Sequence, residues 1–202
     1  QTAAGAADAI NHVIEQYFCA THSDLTDGMC ESVIRSLIKN AKIALEHPDD
    51  ERARGEFMVD CSLACNGILS VGNSPSGWPC HGMEHALSAY YDITHGEGLA
   101  ILTPRWMHHI LSPETTERFV SFGTHIFGID AALPAADIAE QTIKATYDLF
   151  TSFGMPMHLR DVGIDETRLA EMAHHIAENE GLDNAWAPLS EADILSILRA
   201  SL

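Results

Sequence analysis

Residues 81–104 read HGMEHALSAYYDITHGEGLAILTP, a stretch that predicts two helices separated by a short break. Apolar residues recur with helical period from about residue 80 to residue 91, and again from residue 95 to residue 111. We expect Pro104 to kink the second helix or to start its second part, because proline lacks the amide hydrogen that a helix interior needs. The glycines at both ends of the stretch let another element approach closely.

Three histidines lie within the first fifteen positions of this otherwise apolar stretch. His81 and His85 are one helical turn apart, so both side chains leave the same face of the predicted helix. His95 follows the break, and a tight turn brings it back beside that helix. The pattern predicts imidazoles that share a ligand, and it does not decide between His81 and His85. The alternative is a set of ordinary core or surface histidines.

Helical period extends through most of the remaining sequence, and no run of alternating strands is evident. Asp49 or Asp50 is expected to cap the third helix, and Ser190 with Asp193 resembles a capping box, with Asp in place of the usual Glu or Gln. We therefore predict an all-α fold of eight or nine helices. The predicted helices cover about residues 4–19, 26–47, 50–69, 80–91, 95–111, a segment from 113, 134–150, 166–178 and 190–200.

The composition excludes several classes of partner. Eleven basic and twenty-nine acidic residues give a formal charge of -18 over 202 residues, which disfavours nucleic acid and anionic membrane surfaces. No apolar run reaches the roughly 20 residues of a membrane span, and residues 1–7 do not resemble a signal peptide. Five cysteines in mostly apolar helical stretches are typical of reduced thiols in a cytoplasmic protein. The missing initial methionine indicates a processed or truncated chain.

A second pair of potential ligands lies on the first helix. Asp8 and His12 are one turn apart, and the apolar residues Ile10 and Val13 flank them. A carboxylate on a buried face costs several kcal/mol unless it is paired or binds a cation. The alternative is a carboxylate that interacts with the positive end of the helix dipole, with His12 as its hydrogen-bonded neighbour.

One carboxylate and two or three imidazoles form a set of ligands that suits Fe(II) or Zn(II). The absence of cysteine from this set argues against a structural zinc site. A mixed site with an open coordination position is what Lewis-acid catalysis requires.

Two segments resemble the iron-containing (group III) alcohol dehydrogenases, most closely their butanol-dehydrogenase-like branch. They are residues 81–104 and the stretch DAINHVIEQYF at residues 8–18, and the likeness also covers SFGMPMHLRDVGID at residues 152–165. The resemblance implies the helical C-terminal domain of the dehydroquinate-synthase-like fold, over residues 1–202. It also implies reversible oxidation of a primary alcohol to an aldehyde with NAD(P).

Carried over by position, the family's four metal ligands are Asp8, His12, His81 and His95. The resemblance thus selects His81 over His85 as the ligand. His85 matches a histidine that the family places near the substrate and the nicotinamide, where it relays a proton. Apolar residues expected to line a substrate pocket, if they are not ordinary core residues, are Trp78, Trp106 and Phe18.

The family's N-terminal α/β domain, which binds NAD(P), has no counterpart in these residues. No glycine-rich turn follows a strand, as a dinucleotide site requires. We therefore expect one domain of a larger enzyme, inactive alone, whose intact form is a homo-oligomer that acts on a small alcohol or aldehyde.

Two other functions compete with this one. HGMEH at residues 81–85 fits the H-x-x-E-H pattern of inverted zinc peptidases, with Glu84 as general base. That reading leaves Asp8, His12 and His95 unexplained. The third hypothesis is a non-catalytic helical module that acts through its acidic surface or as a metal-binding scaffold.

Overall fold

The computed structural model describes residues 1–73 and 77–202. Within these ranges the fold consists of nine α-helices and short 3-10 turns, without a β-strand, which confirms the predicted all-α class. No helix in these ranges is both long and apolar enough to cross a membrane. The α-helices are α1 Thr2–Tyr17, α2 Asp24–Glu46, α3 Glu51–Cys65, α4 Pro79–Tyr91, α5 His95–Ile110, α6 Thr116–Phe127, α7 Ala135–Ser152, α8 Leu169–Asn179 and α9 Glu191–Ala200.

Helix α1 is the centre of the domain, because α2, α3, α4 and α5 all pack against it. Its predicted apolar stripe is buried, including Ile10, Val13 and Ile14. Polar residues Asn11, Glu15 and Gln16 on the same helix are buried as well, so α1 is covered on more than one face. Helices α6 with α7 and α8 with α9 form two further packed pairs.

Several helix ends follow the predicted signals. The Asp50 side chain accepts a hydrogen bond from the Ala53 amide, and Ser190 with Asp193 forms a complete capping box. Helix α3 ends earlier than predicted, because Gly67 adopts φ 85° in the left-handed region and a 3-10 turn follows. Helix α5 continues through Pro104 as one helix.

The domain also contains a buried ion pair that ties α6 to the start of α2. Arg118 donates to both carboxylate oxygens of Asp27, at 2.6 and 3.0 Å, and to the backbone carbonyl of Tyr17. The guanidinium also lies 4.0 Å from the centre of the Tyr17 ring. Both charged residues are buried, so each needs the other as its counter-charge.

Candidate metal centre

Three helices supply the side chains of the candidate metal centre. Helix α1 presents Asp8 and His12 from one face, as the spacing predicted. Helix α4 presents His81 from its first turn, and α5 begins with His95. Between the last two helices, Asp92 ends α4 in the left-handed conformation at φ 52° and turns the chain back.

The three imidazoles meet at a single carboxylate oxygen. Oδ1 of Asp8 lies 3.6 Å from Nε2 of His12, 3.6 Å from Nε2 of His81 and 3.5 Å from Nε2 of His95. Ligand atoms of Asp8, His81 and His95 all lie within 4.8 Å of one another. His12 adjoins this group through the same oxygen and through the His81 ring, whose centroid is 4.3 Å from its own. The structure therefore brings all four predicted residues together.

This arrangement fits a divalent metal ion. Asp8 Oδ1 and His81 Nε2 are buried and have no hydrogen-bond partner in the described part of the chain, which is costly unless a cation occupies the space between them. Ligands about 2.1 Å from a tetrahedral ion lie roughly 3.4 Å apart, close to the observed separations. Three nitrogens and one oxygen suit both Fe(II) and Zn(II).

The rings of His81 and His95 each face a buried carboxylate on the Nδ1 side, opposite the Nε2 atom that points to Asp8. Nδ1 of His81 contacts Oε2 of Glu15, and Nδ1 of His95 contacts Oε2 of Glu84. Glu15 is 3% exposed and Glu84 is 0% exposed. Both contacts turn the Nε2 atoms toward Asp8.

The electrostatics of the cluster distinguish its members. Burial and the neighbouring His81 lower the pKa of His12 to about 4, so its imidazole is neutral near pH 7. Burial also acts to lower the pKa of His81, but Asp8 and Glu15 outweigh it and raise this pKa to about 9. Glu84 raises the pKa of His95. For Asp8, burial is outweighed by the three histidines, which hold its pKa below the ordinary value.

A pocket of about 410 Å³ opens beside the centre. Trp78 forms part of its wall, with its ring edge-on to His12 and His81 at centroid distances of 5.4 and 5.5 Å. Its backbone has φ 40°, a conformation that is strained for a residue with a side chain. The remaining lining residues are His12, Gly77, His81, Gly82, His85 and Glu180.

His85 lies at this pocket with a side chain that is 56% exposed. Its ring stacks on His95 at a centroid distance of 6.0 Å, and its Nδ1 lies 3.5 Å from Oε2 of Glu180. Neither His12 nor His85 belongs to the group of mutually close ligand atoms found among the described residues, but His12 approaches Asp8 Oδ1 to 3.6 Å, whereas the carboxylate near His85 is that of Glu180. His85 therefore lies beside the cluster and not within it.

The other predicted pocket residues lie in the core. Phe18 is 3% exposed and packs among aromatic rings, with the Phe119 centroid 4.9 Å and the Trp106 centroid 6.1 Å away. Neither Phe18 nor Trp106 lines the pocket beside the histidines. Large apolar side chains such as these are usually buried in the core.

Glu15 and Glu180 were not predicted from the sequence, and Glu84 was considered only as the general base of a peptidase. A signal for Glu15 was present, because Asp8, His12 and Glu15 are spaced to share one face of α1. No local signal pointed to Glu180, since its approach to His85 depends on how α8 packs against α4.

Comparison with known proteins supports the family suggested by these segments. The family model for the C-terminal part of the Fe-containing alcohol dehydrogenases matches residues 2–202. The NADH-dependent butanol dehydrogenase A of Clostridium acetobutylicum is 46% identical over 203 residues, covering 100% of this chain and 52% of the relative. The NADPH-dependent aldehyde reductase YqhD of Escherichia coli is 26% identical over 180 residues, covering 89% of this chain and 46% of the relative.

A solved structure agrees with the fold. The crystal structure of the NADH-dependent butanol dehydrogenase A of Thermotoga maritima superposes with a TM-score of 0.92 at 31% identity, covering 100% of this chain and 52% of that one. This chain therefore spans about half the length of the relatives it matches.

Proposed function

This chain belongs to the iron-containing alcohol dehydrogenase family, and from that premise we propose that it is the metal-binding part of an enzyme that interconverts a primary alcohol and an aldehyde with NAD(P). The observation that carries the proposal is the convergence of three imidazole Nε2 atoms on one unpartnered oxygen of Asp8. A purely structural cluster would leave two buried atoms, Asp8 Oδ1 and His81 Nε2, unsatisfied.

In this proposal Asp8, His12, His81 and His95 hold one divalent ion, either Fe(II) or Zn(II). When bound, the metal supplies Lewis acidity toward the alcohol or aldehyde oxygen, and the nicotinamide supplies the hydride chemistry. The residues of this chain orient the oxygen-bearing end of the substrate toward the Nε2 atoms. The Trp78 ring covers one side of that position and limits access of water.

His85 is proposed to carry a proton between the pocket and solvent. Its exposed ring lies against His95, and Glu180 is near its Nδ1. A proton taken up on one ring nitrogen can thus leave from the other, which is the usual use of histidine in acid–base chemistry. The His85 ring is also proposed to face the nicotinamide.

The nicotinamide site itself is proposed to lie on an α/β domain outside these 202 residues, in a cytoplasmic homo-oligomer. The two relatives compared above are named for NADH and for NADPH, so the choice of cofactor is left open in the proposal. We expect the 202-residue chain alone to produce no alcohol-dependent NAD(P)H.

The metallopeptidase alternative fits the geometry less well. Its general base, Glu84, is fully buried and contacts His95 and the Ser88 hydroxyl, so it does not face a water molecule in the pocket. The alternative would also require His85 among the ligands, but the carboxylate near the His85 ring is that of Glu180, and the three histidines that approach Asp8 Oδ1 are His12, His81 and His95. The scaffold hypothesis does not explain an open pocket beside the cluster.

The direct test is an activity assay on the polypeptide encoded by the whole gene, loaded with Fe(II) or Zn(II). We expect butanol-dependent reduction of NAD or NADP, and loss of that activity in His85→Ala with metal still bound. Cleavage of peptides, or absence of turnover with any primary alcohol in the metal-loaded protein, would overturn the proposed function.

A further inference from the structure

Glu15 links α1 to the start of α4. Its Oε1 accepts a hydrogen bond of 2.6 Å from the backbone N–H of Cys80, one of the amide groups that the first turn of a helix leaves unpaired. Its Oε2 contacts Nδ1 of His81, the next residue along α4. The one buried carboxylate therefore fixes both the position of the helix end and the direction of the His81 ring.

Glu84 makes the corresponding contact for His95. Its Oε2 contacts Nδ1 of His95, and its Oε1 accepts from the Ser88 hydroxyl. Gly98 makes room for this carboxylate between α4 and α5, because a Cβ at position 98 would lie only 2.6 Å from Cγ of Glu84. Two helices are thus packed closely around a fully buried acidic side chain.

A neutral imidazole binds a metal through Nε2 only when its proton is on Nδ1, and that N–H needs an acceptor. We infer that Glu15 and Glu84 are positioning residues of the metal centre, which hold His81 and His95 in the Nδ1–H tautomer with Nε2 directed at Asp8. This inference rests on the proposed function, because it assumes a metal between those Nε2 atoms.

The Glu15 and Glu84 carboxylates differ in the groups that surround them. Two groups face Glu15: the Cys80 amide, which can only donate, and Nδ1 of His81, which must donate if Nε2 is to bind the metal. In Glu15→Gln, one of them must face the new NH₂ group, and if this is His81 its proton moves to Nε2 and blocks the metal. Ser88, by contrast, can rotate its hydroxyl to accept from the amide of Glu84→Gln and donate to the Ile93 carbonyl at 3.3 Å.

The test is the zinc affinity of the folded wild-type protein and of both variants, measured by competition with a chromophoric chelator. We expect Glu84→Gln to weaken zinc binding by about 10-fold and Glu15→Gln by up to about 100-fold, the range for partners of metal-bound histidines. Glu191→Gln is the matched control, since Glu191 faces Nδ1 of His174 at 3.0 Å on the exposed surface. Its zinc affinity is expected to equal that of the wild type.

¹⁵N NMR of the zinc-loaded protein reports the tautomer of each histidine ring. It therefore distinguishes a positioning role of Glu15 and Glu84 from a merely structural one. We expect Nδ1–H for His81 and His95 in the wild type and loss of this signature for His81 in Glu15→Gln. If both variants bind zinc as the wild type does, the positioning role is overturned and the proposed function survives. A wild-type protein that binds neither Zn(II) nor Fe(II) overturns both. If Glu15→Gln does not fold, unchanged affinity in folded Glu84→Gln is enough to reject the inference.

Discussion

Nε2 of His95 lies 3.5 Å from Oδ1 of Asp8, across the contact between α5 and α1. This proximity depends on a close approach of the two backbones. A Cβ at Gly96 would lie 2.1 Å from the carbonyl oxygen of Ala4 and 2.9 Å from its Cα, so only glycine fits there. The packing of α5 on α1 and the geometry of the candidate centre therefore have a common origin.

Replacing Gly96 by alanine is expected to damage both stability and the centre. The new methyl group meets backbone atoms that cannot move aside, so the free energy of unfolding should fall by about 1–3 kcal/mol or more. Because α1 and α5 separate, zinc affinity should fall as well. Urea denaturation and chelator competition measure the two effects.

Gly5→Ala is the matched control for this substitution. Gly5 lies inside α1, and a Cβ there has no neighbour within 4 Å. Alanine should therefore stabilise the helix by about 0.5–1 kcal/mol without changing zinc affinity. Equal stability losses at positions 5 and 96 would contradict the proposed close contact.

The buried ion pair predicts a large loss of stability on truncation of one partner. In Arg118→Met, the buried Asp27 carboxylate loses its guanidinium and, among the described residues, keeps only the part-exposed His22 ring, 3.2 Å away, as a counter-charge, which should cost about 3–5 kcal/mol. The control is Arg168→Met. Its partner Glu171 is exposed, so loss of this ion pair should leave the free energy of unfolding nearly unchanged. Similar unfolding free energies for the two variants would show that the Arg118 pair is not buried as described.

The metal-free protein should lose stability as the pH rises above neutrality. Burial acts to lower the pKa of His81, but Asp8 and Glu15 raise it to about 9 in the folded state, above the unfolded value near 6.5. Protonated His81 therefore stabilises the fold fully below about pH 6.5, and this contribution disappears as the pH rises through about 9.

Urea denaturation between pH 6 and pH 9.5, with chelator present, measures this effect. His81→Gln lacks the titrating ring and should show a smaller loss over the same interval. If the variant and the wild type lose the same stability between these pH values, His81 is not the group responsible.

The two aromatic residues singled out for substrate binding should behave differently. Trp78→Ala removes a wall of the pocket beside the histidines, so the whole enzyme should show a raised KM for butanol. Phe18→Ala removes a core ring and should lower the free energy of unfolding by about 3–5 kcal/mol. Steady-state kinetics and denaturation of both variants distinguish the roles, and a KM effect confined to Phe18 would reverse the assignment.

Local signals in the sequence predicted the helices well. These signals are the helical period of apolar residues, the Asp50 cap and the Ser190 capping box. Each depends on residues within a few positions of one another, and the structure reproduces them. The end of α3 was predicted too late because the left-handed conformation of Gly67 competes with continued helical period. Such competition is decided by the surrounding packing.

The candidate centre was only partly accessible from sequence. Helical spacing grouped Asp8 with His12 on α1. Helical spacing and a turn likewise grouped the histidines of residues 81–95. The acceptor behind His81 could not be assigned, since Glu15 reaches it from another helix. For the same reason, nothing local indicated that Phe18 is enclosed by rings from α5 and α6.

We propose that a single divalent ion binds between α1, α4 and α5. Anomalous scattering from crystals of the zinc- or iron-loaded protein, recorded on both sides of the metal edge, locates that ion. We expect one peak within bonding distance of Asp8 Oδ1 and of the Nε2 atoms of His12, His81 and His95. A peak shared by His81 and His85 without Asp8, or no peak among these side chains in metal-saturated crystals, would rule out this site.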